Sequence, residues 1–336
     1  MTADLNITHV TQTFGPFTAL NDLSLHITAG EYIVLLGPSG CGKTTLLSIL
    51  GGFIRPTAGT ILIGSKDMTH TPPKDRPTTT MFQDYALFPH MTLLDNVAFG
   101  PRMRGQPKAQ RHAKALQMLT LVGLETKSHA RPHELSGGQR QRTALARALA
   151  VDPDVVLLDE PLGALDLNLR RQMQDELKSI QARLGTTFIH VTHDQEEAMA
   201  LADRIVVMNA GRIEDCGPPA RIYLHPATIF TANFMGETNL IPATRTPQGL
   251  KTPLGLLPID APSGTLCLRP ESIGASGIPL GNATLKDAAF FGTHYRCHFT
   301  PHAAPDLTLI AHLPQSATPT PGDTHSLHAS TYTVIP

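Results

Sequence analysis

Apolar and polar positions change rhythm several times along the 336 residues of this chain. Near the start, Ile7-Thr8-His9-Val10 and Leu23-Ser24-Leu25-His26-Ile27 alternate as half-buried strands do, and Phe14-Gly15-Pro16 breaks the two apart. Tyr32-Ile33-Val34-Leu35-Leu36, Val155-Val156-Leu157-Leu158 and Thr187-Phe188-Ile189-His190-Val191 are short runs without clean alternation. That is the pattern of strands buried on both faces of a parallel sheet. Gly59-Thr60-Ile61-Leu62-Ile63-Gly64 predicts a further strand, and Ile205 to Glu214 a hairpin turning at Asn209-Ala210-Gly211. Apolar residues return at helical spacing from Thr44 to Leu50, where Gly51-Gly52 ends the run. Helix formers also fill Pro107 to Val122 and Arg140 to Ala150. Beyond Phe234 the rhythm changes again: Pro, Thr, His and Gly rise, and segments such as Thr265-Leu266-Cys267-Leu268 predict a small all-β domain.

Strand, glycine loop and helix come together at Gly37-Pro38-Ser39-Gly40-Cys41-Gly42-Lys43-Thr44, which fits the phosphate-binding pattern G-x-x-x-x-G-K-[ST]. The glycines let backbone N–H groups converge on a phosphate, and the helix start adds its dipole. Lys43 would bring a point charge to the β/γ-phosphates, and Thr44 a hydroxyl to Mg²⁺. A second helix start, Leu135-Ser136-Gly137-Gly138-Gln139, offers an N-cap serine and open backbone donors; an ordinary capped helix with a solvated arginine face is the alternative.

Asp159 and Glu160 end a fully apolar strand, and His193 follows another. Ligands of parallel sheets gather at the carboxyl ends of strands, so all three should emerge beside the phosphate loop. Asp159 would enter the Mg²⁺ shell, Glu160 would polarise water, and His193 would bond a γ-phosphate oxygen. Phe14 would either stack on a nucleobase or simply pack. Gln83 is uncharged and could ligate a metal while moving with a loop. The aromatics Phe82, Tyr85, Phe88 and Phe99 read either as core or as a cleft for a partner helix.

Composition adds bounds. Lys and Arg number 27 against 28 Asp and Glu, so no basic footprint argues for nucleic acid. No apolar stretch approaches the roughly 18 residues of a membrane helix, and the start shows no secretion signal. Four scattered cysteines suit a reducing compartment. His294, Cys297 and His298 have a spacing that a metal could use, but without a second partner pair they read as strand and edge residues. Pro314 to Gly322 predicts a mobile loop.

Taken in order, Phe14, the Gly37 to Thr44 loop, Gln83, Leu135 to Gln139, Asp159-Glu160, Gly163-Ala164-Leu165-Asp166 and His193 resemble the ATP-binding cassette (ABC) subunits of transporters, across residues 4 to 235. The resemblance implies an α/β fold: a P-loop NTPase ABC ATPase domain over 1–235 with a helical subdomain near 84–152. It implies, over 236–336, a small all-β OB-like (TOBE-type) regulatory domain, since Gly236-Glu237-Thr238-Asn239-Leu240 and Leu268-Arg269-Pro270-Glu271 are similar to it. ATP would be held by Phe14, by Gly37 through Thr45, and by Gln83. Ser136 to Gln139 would cap the ATP of the other subunit, with Asp166 in the adjoining D-loop, where Gly163 stands in place of the Ser of several relatives. Lys43, Glu160 and His193 would be catalytic, and Thr44, Gln83 and Asp159 would hold Mg²⁺. Implied partners are a second copy in a homodimer, two integral-membrane permease subunits and, indirectly, an extracytoplasmic solute-binding protein; the chain itself would sit at the cytoplasmic face of the inner membrane, held there by the permease subunits.

Ala86 to Thr92, Asn96 to Gly100, Met208-Asn209 and Phe234 to Glu237 are most similar to the spermidine/putrescine branch, with ferric ion, sulfate and sugar importers sharing much of this. A non-transport ABC protein that remodels a ribosome or DNA usually has two cassettes or a long coiled-coil insertion, and neither is present; a regulator with secondary ATP turnover is the further alternative.

Overall fold

The computed structural model describes residues 3–163 and 165–336; Ala164, in the Gly163 to Asp166 loop, lies outside the described residues. By packing, the chain divides into two compact units, residues 1–219 and 220–336.

The first unit carries two sheets. Strands β1 (Leu5–Phe14) and β2 (Phe17–Ile27), longer than the alternating segments suggest, meet at the Phe14-Gly15-Pro16 break and pair as an antiparallel hairpin. After β3 (Tyr32–Leu36) and helix α1 (Lys43–Leu50), β4 (Ala58–Ile63) and β5 (Lys66–Asp67) join that hairpin in an antiparallel sheet ordered β2-β1-β4-β5. The second sheet gathers β6 (Thr78–Met81), β7 (Val155–Asp159), β8 (Thr187–Thr192), β9 (Arg204–Asn209) and β10 (Arg212–Gly217) around β3, in the order β10-β9-β3-β8-β7-β6. From β9 to β6 neighbouring strands run parallel, and only β10 at the edge is antiparallel. All five residues of β3 and all six of β8 are buried, as unalternated apolar runs require. Leu46, Ile49, Val155, Leu157, Ile189 and Val206 belong to the shared core that fixes α1 against the sheet.

Helices α2 (Leu93–Val97), α3 (Phe99–Met103), α4 (Lys108–Leu121) and α5 (Gly137–Leu149) fall between β6 and β7 and pack on one another. Helix α6 (Leu167–Leu184) leads to β8, and α7 (Gln195–Leu201) leads to β9.

Short helices α8 (Pro219–Leu224) and α9 (Ile229–Phe234) precede the strands of the second unit. Buried Arg269 holds this unit's start: it donates to the carbonyls of Tyr223, Ala232, Gly236 and Glu237, and its guanidinium lies 4.2 Å from the Tyr223 ring centre. Every strand pairing that follows is antiparallel, in two five-stranded sheets that share one core including Ile241, Leu266, Leu285 and Phe299. This is the OB-like all-β arrangement expected from the sequence.

Within strand His294–Pro301, Cys297 is fully buried in that core. His298 lies on the more exposed face, bonded to Asp287 at 2.7 Å, and the tilted rings of His294 and His312 have their centres 3.9 Å apart. Alternation therefore separates the thiol from the imidazoles. Among the described residues no group of three or more His, Cys, Asp or Glu is placed to hold a metal ion, and no helix is long and apolar enough to cross a membrane.

Candidate nucleotide-binding and hydrolysis site

The loop after β3 is shaped by close backbone approach. Gly42 caps α1 at φ 102°, and a Cβ there would meet the Ala19 carbonyl at 2.6 Å. At Gly37 a Cβ would lie 2.3 Å from the Met208 carbonyl, so the first and second motif glycines are required by space. The Lys43 ammonium is buried and folded onto its own loop, donating to the Gly37 carbonyl at 2.7 Å and the Pro38 carbonyl at 3.0 Å, with Cys41 Sγ at 3.8 Å. At the far end of α1, buried Arg76 donates to the carbonyls of Ile49 and Leu50 at 2.7 and 2.8 Å. A cation on a helix's last carbonyls is the favourable end for the dipole.

Above the loop lies a cavity of about 340 Å³. Ser39, Gly40, Gly42, Lys43, Thr44 and Thr45 wall it from the loop, Phe17 and Ala19 from β2, and Glu160 from the end of β7. Phe17 is thus an aromatic contributor not singled out from the sequence. Phe14 pairs with it across the hairpin, and both rings are exposed. Two aromatics flanking a two-residue turn are the signal that marks Phe17 as well as Phe14.

The strand-end residues meet as parallel order requires. Glu160 sits in left-handed backbone at φ 44°, its N–H donating to the Val191 carbonyl of the neighbouring strand. Its Oε1 lies 3.2 Å from His193 Nδ1, and its Oε2 accepts from Gln83 Nε2 at 3.3 Å. Burial raises the Asp159 carboxyl above its usual range and the charge of Glu160 adds to this, against a hydrogen bond from Thr44 and the charge of Lys43. A carboxylate, a hydroxyl and an amide are hard oxygen donors of the kind Mg²⁺ takes, and the raised carboxyl marks charge that a cation would relieve.

The Ser136 to Gln139 segment is built differently. Ser136 Oγ accepts from Gln139 N–H while Gln139 Oε1 accepts from Ser136 N–H, a reciprocal cap that starts α5. Neither this segment nor Asp166, which caps α6 through the Leu169 N–H, lines the loop cavity of its own chain. Residues 163 and 165–166 lead into α6, where Arg170 ties the Leu165 carbonyl to Asp194, the residue after His193, at 3.2 and 2.8 Å.

A family profile described as ABC transporter matches residues 20–163. The spermidine/putrescine import ATP-binding protein PotA of Marinobacter nauticus is 52% identical over 238 residues, covering 71% of this chain and 64% of that protein. The sulfate/thiosulfate import ATP-binding protein CysA 2 of Chromobacterium violaceum is 45% identical, covering 92% of this chain and 87% of its own length. Among solved structures, the dimeric post-hydrolysis state of the ATP-binding cassette MJ0796 bound to ADP and Pi matches with a TM-score of 0.57 at 31% identity, over 64% of this chain and 98% of that one. With its phosphate loop, its Gln83–Glu160–His193 cluster and an import ATP-binding relative spanned over most of its length, the chain belongs to the ABC family of ATP-hydrolysing import subunits.

Proposed function

We propose that the chain is the motor subunit of a solute importer, working as a homodimer on two integral-membrane permease subunits at the cytoplasmic face of the inner membrane. An extracytoplasmic solute-binding protein delivers the solute, which we assign to the polyamines spermidine and putrescine. The observation that carries the motor reading is Glu160 held between Gln83 and His193 at the rim of the loop cavity. In this reading Glu160 accepts the proton of the attacking water, His193 orients the carboxylate and meets the γ-phosphate, and Lys43 leaves its loop carbonyls for phosphate oxygens. Thr44, Asp159 and Gln83 would hold Mg²⁺, which when bound neutralises charge on the β- and γ-phosphates. Phe14 and Phe17 flank the base.

The homodimer is supported by the absence of Ser136 to Gln139 and Asp166 from the wall of their own chain's cavity. Donors at the start of α5 then serve a nucleotide carried by a second copy. The polyamine assignment draws on segments 86–92, 96–100 and 234–237 and on the name of the Marinobacter relative, while the Chromobacterium relative carries a sulfate/thiosulfate name.

Purified chain with Mg-ATP is expected to release phosphate. Glu160→Gln should bind ATP normally, lose about two decades of turnover and accumulate as ATP-bound dimer. Near-normal hydrolysis in that variant would remove Glu160 from the role. Reconstitution with the permease and binding protein should give ATPase stimulated by spermidine or putrescine; stimulation by sulfate instead would reassign the solute.

A further inference from the structure

Two non-glycine residues stand side by side in left-handed backbone just beyond Gln83: Tyr85 at φ 63° and Ala86 at φ 45°. L side chains rarely adopt this conformation, and a consecutive pair persists only where surrounding groups over-determine it. The main determinant is one guanidinium. Arg147, on the last turn of α5, donates through Nη2 to the Tyr85 carbonyl at 2.7 Å and through Nη1 to the Ala86 carbonyl at 2.6 Å. The same group lies 5.7 Å from the centre of the Phe88 ring. Asn96 fixes the far side of the turn, accepting from Phe88 N–H at 2.8 Å and donating to the Phe88 carbonyl at 3.1 Å. Tyr85 is buried, with its hydroxyl 3.5 Å from the carbonyl of Pro161, the residue after Glu160.

Helix α5 begins at the Ser136 cap and ends at this grip. A planar fork spanning two consecutive carbonyls transmits both distance and orientation, which a single ammonium cannot do. We propose that Arg147 is a positioning residue: by clamping the Tyr85–Ala86 turn it sets Gln83 against Glu160, and so couples the placement of α5 to assembly of the hydrolytic cluster. The inference rests on the hydrolysis reading above and names a residue that controls the same site from outside it.

The test exploits the cause of the strain, since glycine takes positive φ without penalty. ATP turnover is measured for the full chain, for Arg147→Lys and Arg147→Met, and for each combined with Ala86→Gly. The single Arg147 variants should lower kcat at least tenfold with KM for ATP within twofold of the parent. Ala86→Gly alone should change kcat less than twofold, yet recover at least fivefold in the Arg147→Met background. Unchanged kcat in Arg147→Met, or a loss that glycine does not relieve, overturns the proposal.

Hydrogen exchange provides a readout independent of turnover. The Tyr85 and Phe88 amides, bonded to the Phe82 carbonyl and Asn96, should exchange at least tenfold faster in Arg147→Lys, while amides of α1 and β3 keep the parent's protection. Unchanged exchange in the turn, or uniform acceleration throughout 1–219, would also overturn it. If the parent chain itself fails to hydrolyse ATP, the motor reading fails, and the exchange result still decides the role of Arg147.

Discussion

His190 Nε2 lies 2.9 Å from Glu197 Oε1, with both side chains buried. Around this pair, Tyr32 Oη lies 2.9 Å from His190 Nδ1, and the Thr192 hydroxyl donates to Glu197 Oε2 at 2.6 Å. The Thr192 oxygen in turn accepts the N–H of Asp194 at 3.1 Å. Both neighbours of His193 are therefore tied to one buried carboxylate, which fixes the loop that presents His193 to Glu160.

Removing one member of a buried pair costs about 3–5 kcal/mol. For a unit of this size Glu197→Ala should thus lower the melting temperature by roughly 6–20 °C. Glu197→Gln, which keeps an acceptor for Thr192, should lose less. Burial pushes the Glu197 carboxyl up, but His190, with Thr192 and Arg170, holds it net below its usual 4.5. A depressed acid contributes stability that is present above the unfolded value and lost as pH falls through the folded one. The melting difference between parent and Glu197→Gln should accordingly be largest near neutrality and shrink below pH 4.5; a constant difference would count against the pairing.

Phe14→Ala and Phe17→Ala are each expected to weaken ATP binding about three- to tenfold, the worth of one aromatic contact. Affinity for inorganic triphosphate should not move. A variant that leaves ATP affinity unchanged takes its ring off the base, and one that weakens triphosphate equally has damaged the loop instead.

The segment after Gln83 separates two roles that its composition confounds. The Phe88 ring packs 4.5 Å from Phe99 and beneath Arg147, so Phe88→Glu should lower the melting temperature of the isolated chain. Met91 is half-buried. Met91→Glu should keep both melting and basal ATPase while blocking assembly with a permease, as a charge at a packed interface does. Normal transport by that variant would move the coupling surface elsewhere.

In the second unit, burial and then the hydrogen bond to Glu271 push the Tyr223 hydroxyl up to about 12. An ultraviolet titration comparing the parent with Tyr223→Phe should assign one phenolate to that range. Arg269→Lys loses the fork that joins four carbonyls and should destabilise this unit by about 3 kcal/mol, given the cost of unpaired buried acceptors. Calorimetry with proteolytic mapping of 220–336 would register it; wild-type melting would deny Arg269 that role.

The phosphate loop, the buried strands and the strand-end acids were legible because each is written in contiguous residues, and parallel order then brings Gln83, Glu160 and His193 together. What escaped reading is of another kind. Arg76, Arg147 and Arg269 all grip backbone carbonyls, and a carbonyl leaves no trace in residue identity. The packing of residues 220–235 with the second unit is hidden for that reason, since the Arg269 grip spans up to 46 positions. Phe17 stayed hidden because a single aromatic beside a turn reads as packing; only its pairing with Phe14 across the turn marks it. For His294, Cys297 and His298 the alternation was already visible, and it divides the trio between the core and the opposite face.

Lys43 is not an outstretched arm awaiting a phosphate; its ammonium already spends its donors on Gly37 and Pro38. In the proposed role of Lys43, nucleotide entry would be an exchange of partners, and measured affinity would report the difference between two sets of contacts. By bridging the loop's own carbonyls, the lysine also acts as an internal strut. A Lys43→Ala chain would lose the strut together with the charge, so its weakened binding would reflect a collapsed cradle as well as a missing cation.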